Sequence, residues 1–392
     1  MLGLLTACSS ITLSTDFEGG SLGKVERRGE AEFLCHLAGQ ADHEGRNRQI
    51  TWYAFRLDGA KGREVTVTLT DLRGEYDYKL AGIAINGDAP PVVSSDGLTW
   101  RHLPSMAFDK EKEQSTIRVT PDSDSLWVAH IELYTPARLD RLLAETRSHP
   151  AIKVEVIGKS VEGRDLHLLT IADPAAGAGD RPVVWLMCRQ HAWESGTSFV
   201  GEGAIRFLLS DEAKALRGRV IFKILPMMDP DGCAKGGVRF NRNGYDVNRN
   251  WDTADPRSAE SRRLMPEICA AKEAMLKDGR VDLFLTLHNQ EVGGWLSGSE
   301  RHREFTERFW TALLERTLFN PNAKSPRYSK EKPAKGRATV YQYFEGEHGK
   351  RAFILEQGIA FDSKLGRLPT SKDRLAFGAQ LAKTMCDVVL EK

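Results

Sequence analysis

From about residue 11 to residue 135 the chain alternates apolar and polar positions in short runs. Glu64-Val-Thr-Val-Thr-Leu-Thr70 is the cleanest case, with every second side chain apolar. Ile50–Leu57, Tyr78–Ile85, Thr116–Thr120 and Leu126–Leu133 follow the same habit. Turn dipeptides separate them: Asp58-Gly59, Asn86-Gly87, Asp96-Gly97 and Pro121-Asp122. Many short strands broken by turns predict an antiparallel β-sandwich over residues 11–136. Trp52 and Trp127 read as core within it.

After Tyr134-Thr-Pro136 the period changes. Ala137 to Thr146 reads as a helix with Leu139, Leu142 and Leu143 on one face. A hairpin follows, Ile152–Ile157 and Arg164–Ile171, joined by Gly158-Lys-Ser-Val-Glu-Gly163. Beyond it apolar runs at 182–187, 219–225, 281–287 and 352–355 alternate with helical patterns near 196–209, 258–277, 301–318 and 371–390. That alternation predicts an α/β domain over 137–392, built on a mixed sheet covered on both faces. No internal repeat or low-complexity tract interrupts it.

Composition narrows the function without naming it. The chain has 392 residues, 41% hydrophobic and 28% charged, with a net charge of +1, as in ordinary globular proteins of two domains. That balance gives no electrostatic reason to expect nucleic acid as a partner. No apolar run reaches the roughly 18 residues of a spanning helix. The six cysteines lack C-x-x-C spacing, so they read as buried free thiols. Leu4-Leu-Thr-Ala-Cys8-Ser-Ser looks like a bacterial lipobox, which would place a lipid anchor at Cys8. Only seven residues precede Cys8, fewer than a signal peptide needs. Residues 1–10 are therefore either the remnant of a lipoprotein signal or a chance match, and the compartment stays open between cytoplasm and cell envelope.

Candidate chemistry gathers just after the buried runs. Cys188-Arg-Gln-His191-Ala-Trp-Glu194-Ser195 follows the 182–187 run and opens a helix. Open α/β sheets place their sites at such strand ends. An imidazole and a carboxylate three residues apart suit a zinc ion, although the spacing alone is weak and recurs at His288-Asn-Gln-Glu291. His288 ends the 281–287 run and Glu356 ends the 352–355 run. Between the two His-x-x-Glu motifs lies Arg239-Phe-Asn241-Arg-Asn-Gly244-Tyr-Asp246-Val-Asn248-Arg249, which taken alone also fits a solvated turn.

Taken together and in this order, the motifs resemble the zinc metallocarboxypeptidase family, in particular its cytosolic-carboxypeptidase-like branch, whose members carry a β-sandwich ahead of the catalytic domain. Gly158–Arg164 is similar to the family's lead-in, and Met228-Asp-Pro-Asp-Gly232 to its Asn-Pro-Asp-Gly turn. The resemblance implies one zinc ion per chain on His191, Glu194 and His288, with Glu356 as general base and Arg239 stabilising the oxyanion. It implies that Asn248 and Arg249 hold the substrate's terminal carboxylate and that Asp246 orients His191. Glu291 stands where the family has no ligand. The chain departs from the pattern at Ala192-Trp193, where Pro-Gly is frequent, and at Asn289. Trp193 either narrows the mouth of the site or packs. Tyr341 and Tyr343 do not match the spacing of the substrate-covering tyrosine.

The implied activity is a metallocarboxypeptidase acting on the C-termini of peptides or proteins. The basic segment Ser325–Arg337 reads either as an exposed loop or as a rim that favours acidic C-terminal residues. Two rivals share much of the pattern: a zinc deacylase of N-acyl amino acids, and an inactive peptide-binding relative.

Overall fold

The computed structural model describes residues 10–177, 179–329 and 332–391. The expectation at Cys8 lies outside them, as does Lys330 of the basic segment. The first half of the chain forms two five-stranded sheets. One runs Thr12–Ser14, Ala54–Asp58, Ser125–Ala129, Val92–Ser94 and Arg101–His102 in spatial order. The other runs Ala107–Asp109, Gln114–Val119, Val65–Thr70, Glu32–His36 and Lys24–Arg27. Alternate residues such as Val65, Val67 and Leu69 point inward and meet Phe55, Leu57, Leu126 and Val128 from the facing sheet. Pairing is antiparallel throughout except between Glu32–His36 and Val65–Thr70, which run parallel.

A third, four-stranded sheet was not anticipated. It joins Gln40–Ala41, Arg48–Gln49, Glu75–Tyr76 and Lys79–Leu80. The long strand expected over 78–85 shrinks here to Lys79–Leu80. Asp77 and Tyr78 take positive φ angles of 55° and 60°, so the chain reverses where an extended run was expected.

The second half carries an eight-stranded mixed sheet in the order Ile152–Lys159, Asp165–Ile171, Ile221–Leu225, Val183–Met187, Leu283–Gln290, Ala352–Gly358, Trp295–Ser299 and Arg327–Ser329. Its four central strands are parallel. Every residue of Val183–Met187 is buried, as expected for a strand covered on both faces. Helices Ser195–Leu209 and Ser371–Leu390 pack against each other and lie with Arg303–Arg316 on one core. The helix expected over 258–277 is two helices, Ala259–Leu264 and Pro266–Asp278. Pro266 opens the second because proline cannot continue the first. Two strands without a sequence signal, Trp295–Ser299 and Arg327–Ser329, complete one edge.

The two halves meet through a separate apolar cluster. Trp52, Ala54, Val92, Ala129 and Ile131 of the sandwich enclose Trp193, Val238 and Ile359 of the α/β domain. Trp193 is only 5% exposed, so it packs between the domains and does not line a mouth. Burying an indole this far contributes roughly 4 kcal/mol at ~25 cal/mol per Å². That contact fixes the His191–Glu194 turn to the sandwich.

Beneath the site, three buried carboxylates tie loops together. Asp231 accepts from Ser160 Oγ (2.7 Å), Arg164 Nη1 (2.6 Å) and the Glu162 amide (2.7 Å). Glu267 accepts from the Val161 amide (3.1 Å) and Asn241 Nδ2 (2.9 Å). Among the described residues Asp229 accepts only from the Gly232 amide (2.9 Å), and no donor reaches its Oδ2. Burial and then repulsion from Glu267 push Asp229 up to about 8. A carboxyl raised in this way holds a proton in the folded state that the unfolded chain has released, so stability falls as pH rises from the usual 3.8 toward 8. Asp229→Asn should therefore raise Tm at pH 8, with the gain shrinking as pH falls toward 4. Thermal melts across that range test it; a gain independent of pH would contradict it.

Candidate active site

The parallel strands set the site by register. Met187 pairs with Thr286, and His288 pairs with Glu356. His288 and Glu356 are thus level, and the Val183–Met187 strand stops two residues short of them, opposite Thr286, so the turn that follows it converges on the same edge. Arg189 makes the first turn possible. It holds a left-handed φ of 59°, and its buried guanidinium donates to Ala192 O (2.8 Å), Tyr134 O (3.1 Å) and Ser198 Oγ (3.2 Å). Thr197 Oγ1 accepts the Arg189 amide at 3.0 Å. This brace turns His191 back over the sheet edge and starts the Ser195–Leu209 helix beside Glu194.

His191, Glu194 and His288 come together with their ligand atoms within 4.8 Å of one another. None is more than 2% exposed. His191 Nδ1 lies 2.7 Å from Glu194 Oε1, and His288 Nδ1 lies 2.9 Å from Glu194 Oε2. The second approach is close but lacks hydrogen-bond alignment, so among the described residues Glu194 Oε2 has no hydrogen-bond partner. Both imidazoles therefore turn the same nitrogen toward one carboxylate, an arrangement that fits a shared cation better than a hydrogen-bonded triad. Glu291, in the second His-x-x-Glu, stands outside this group.

The far nitrogens are held from behind. His191 Nε2 lies 3.0 Å from Asp246 Oδ1, and the other oxygen of Asp246 accepts from Arg239 Nε at 2.8 Å. Burial pushes the Asp246 carboxyl up, but Arg239, His191 and Arg249 outweigh it and hold the group well below the usual carboxylate range. His288 Nε2 lies 3.2 Å from Gln190 Oε1 and 3.2 Å from Asn248 Nδ2. Gln190 also accepts from Thr286 Oγ1 (2.7 Å) and donates to Val247 O (2.9 Å). Carboxylate and carboxamide partners of this kind fix imidazole orientation behind a metal. Gln190 and Arg189 were not singled out in the sequence, although both lie in its central stretch; only their burial reveals their tasks.

Glu356 lies at the end of its strand, and among the described residues no donor reaches its Oε2. Burial, then the charge of Glu194, raise its carboxyl well above the usual range, while Arg239 opposes them. Glu291 adds to the rise, so its side chain is near enough to be felt although it is no member of the ligand group. Asn248 is buried, and its Oδ1 accepts the Val340 amide at 3.1 Å. Arg249 donates to Asn248 O at 2.8 Å and borders a cleft of about 50 Å³ with Arg239, Asp246 and the sandwich residues Asp42 and His43. Tyr341 is buried, with its hydroxyl 3.5 Å from Ser297 Oγ. Tyr343 instead packs on Phe344 and His348 with Lys272 over its ring at 4.2 Å, away from the catalytic groups.

The chain is similar to known proteins. Residues 139–306 match the family model described as zinc carboxypeptidase, and residues 13–131 match the one described as cytosolic carboxypeptidase N-terminal domain. Cytosolic carboxypeptidase 6 of Mus musculus is 26% identical over 420 residues, spanning 96% of this chain and 73% of that protein. An uncharacterized protein of Zymomonas mobilis is 28% identical over 292 residues, spanning 72% of this chain and 68% of that one. The crystal structure of a metallo-carboxypeptidase from Burkholderia cenocepacia has the same fold, with a TM-score of 0.83 at 24% identity over 97% of this chain and 99% of that one.

Asp246 is the pivot between Arg239 and His191, so its charge is open to a direct test. Asp246→Asn should lower divalent-metal affinity by about 10- to 100-fold. Competition against a chromogenic chelator measures this, and an unchanged affinity would contradict the assigned geometry.

Proposed function

The chain belongs to the zinc metallocarboxypeptidases, and on that premise we propose that it hydrolyses the C-terminal peptide bond of peptides or proteins with one zinc ion held by His191, Glu194 and His288. The observation that carries the reading is the convergence of two imidazoles and one carboxylate, all buried, at the ends of parallel strands. Two nitrogens and one carboxylate oxygen are a donor set for catalytic zinc, and three protein ligands leave room for reactants. Bound there, the ion supplies Lewis acidity toward the scissile carbonyl and toward water.

The remaining steps fall to the protein's own side chains. Glu356 takes a proton from the attacking water at Oε2 and delivers it to the departing amine. Its raised affinity for protons suits the second task, and a nearby cation favours the ionised form needed for the first. Arg239, fixed by Asp246, supplies positive charge where the oxyanion develops. Arg249 takes the terminal carboxylate of the substrate, for which a planar guanidinium is well shaped. Asn248 lies behind it: its amide is engaged by His288 and the Val340 backbone, so it supports the metal ligand as well as the carboxylate subsite. The sandwich matched by a cytosolic carboxypeptidase N-terminal domain favours the peptidase over the N-acyl amino acid deacylase.

Within the basic segment, Arg327 supports a preference for acidic C-terminal residues. It lies on the Arg327–Ser329 strand beside Trp295–Ser299, stacks over Trp295 at 4.6 Å, and its charge reaches Glu356. Arg337 is paired instead with Glu44 at 2.6 Å, and Lys332 lies 3.8 Å from Glu347.

Glu356→Gln should retain zinc and lower kcat by about 10²- to 10⁴-fold. Metal content together with single-turnover hydrolysis decides this, and near-wild-type turnover would remove Glu356 from the mechanism. Peptides differing only in a final Glu, Leu or Lys should be cleaved in that order of preference. Arg327→Ala should narrow the Glu-over-Leu ratio by about 10-fold, the scale of one charged hydrogen bond. Equal kcat/KM for the three peptides would sink the acidic preference alone.

A further inference from the structure

We propose that Gln40, in the sandwich domain, is a positioning residue for hydrolysis and acts through Arg239. Gln40 lies on the Gln40–Ala41 strand of the small four-stranded sheet. Its Oε1 accepts three consecutive backbone amides, those of Val238 (2.9 Å), Arg239 (2.7 Å) and Phe240 (2.9 Å). Its Nε2 donates to Phe240 O at 2.6 Å. Successive amides point at one spot only where the backbone curls into a concave nest. This segment has no ladder of its own beyond an isolated bridge between Phe240 and Asp246. One carboxamide thus satisfies four backbone groups that burial would otherwise leave unmet.

Arg239 is the middle residue of that nest. From it the side chain reaches Asp246 at 2.8 Å, and Asp246 in turn meets His191. The orientation of the guanidinium is therefore set by backbone angles that Gln40 fixes. Neighbouring contacts seat the same hairpin. His43 stacks on Tyr245 with ring centroids 3.8 Å apart, and the His43 amide donates to Gly244 O at 3.0 Å. Gly244 has φ +81°, and a Cβ there would come within 2.6 Å of His43 N, so the loop leaves no room for another residue. On the opposite side Asn241 is held by Glu267 and Leu264 O. The loop is gripped between the sandwich and the α/β domain, with Arg239 at the centre of the grip. Arg249, the turn before Glu194 and His288 have their own anchors, in Asn248 O, Arg189 and Gln190, and His191 also meets the Asp246 carboxylate directly. Loss of Gln40 accordingly falls on the transition state and not on the capture of the C-terminal carboxylate.

This inference rests on the reading of Arg239 as the oxyanion cation, and a double-mutant cycle separates the two. Gln40→Met, which keeps the side-chain volume, and Gln40→Ala are each combined with Arg239→Ala in the full chain. Zinc content, Tm, kcat and KM are measured for a single C-terminal peptide. In the wild-type background each Gln40 variant should lower kcat by about 10- to 100-fold, the effect of moving a catalytic group by about 1 Å. KM should stay within about 3-fold and zinc content should be unchanged. In the Arg239→Ala background the same substitutions should change kcat by less than about 2-fold. Equal slowing in both backgrounds, unchanged kcat with wild-type Arg239, or a loss of rate that follows lost zinc overturns the proposal. If Arg239→Ala itself leaves kcat intact, the oxyanion reading of Arg239 fails too, which distinguishes that failure from a failure of Gln40 alone.

Discussion

A buried carboxylate between two imidazoles is the constraint around which this molecule is arranged. Glu194 approaches His191 and His288 on opposite oxygens, inside a protein interior that penalises every uncompensated charge. Burial opposes ionisation of this carboxyl, but His191 and His288 outweigh it and hold it below the usual carboxylate range. Such a cluster persists only if the surrounding elements hold it in place. Parallel register sets His288 level with Glu356, Arg189 braces the first turn, and Asp246 and Gln190 orient the two rings. Each imidazole is thus held by more than one support, so the cluster is over-determined before any ion is considered.

The sandwich domain shares in that task. Trp193 lies between His191 and Glu194 in sequence, yet it is buried in the apolar cluster that holds Trp52 and Ile131. The Trp193 amide donates to Val238 O at 3.0 Å, and Val238 begins the nest closed by Gln40. The His191–Glu194 turn and the arginine loop therefore meet the same surface of the first domain. A two-domain chain of this kind is better regarded as one catalytic body than as an enzyme with an attached module.

Much of this was legible in the sequence, for definite reasons. Apolar runs that end in His288 or Glu356 expose both the buried strand and the group it delivers. The alternation in Val65–Thr70 exposes the sandwich in the same way. The small sheet was illegible because its strands are two residues long and its turn uses a tyrosine at positive φ. Trp295–Ser299 escaped notice because Gly293, Gly294 and Gly298 dilute its apolar signal. The Val340–His348 helix did have a signal, the capping box from Thr339 to Gln342, though at nine residues with only Val340, Tyr341 and Phe344 buried it shows little apolar periodicity. Gln40 could not have been found, because nothing local links it to a loop two hundred residues away.

The proposed chemistry stands on His191, Glu194 and His288 forming a single zinc site. Crystals of protein purified without chelator, measured above and below the zinc absorption edge, test it most directly. One anomalous difference peak should lie among those three side chains and vanish below the edge. No peak there, or a peak held by other residues while the enzyme still cleaves peptides, would contradict it.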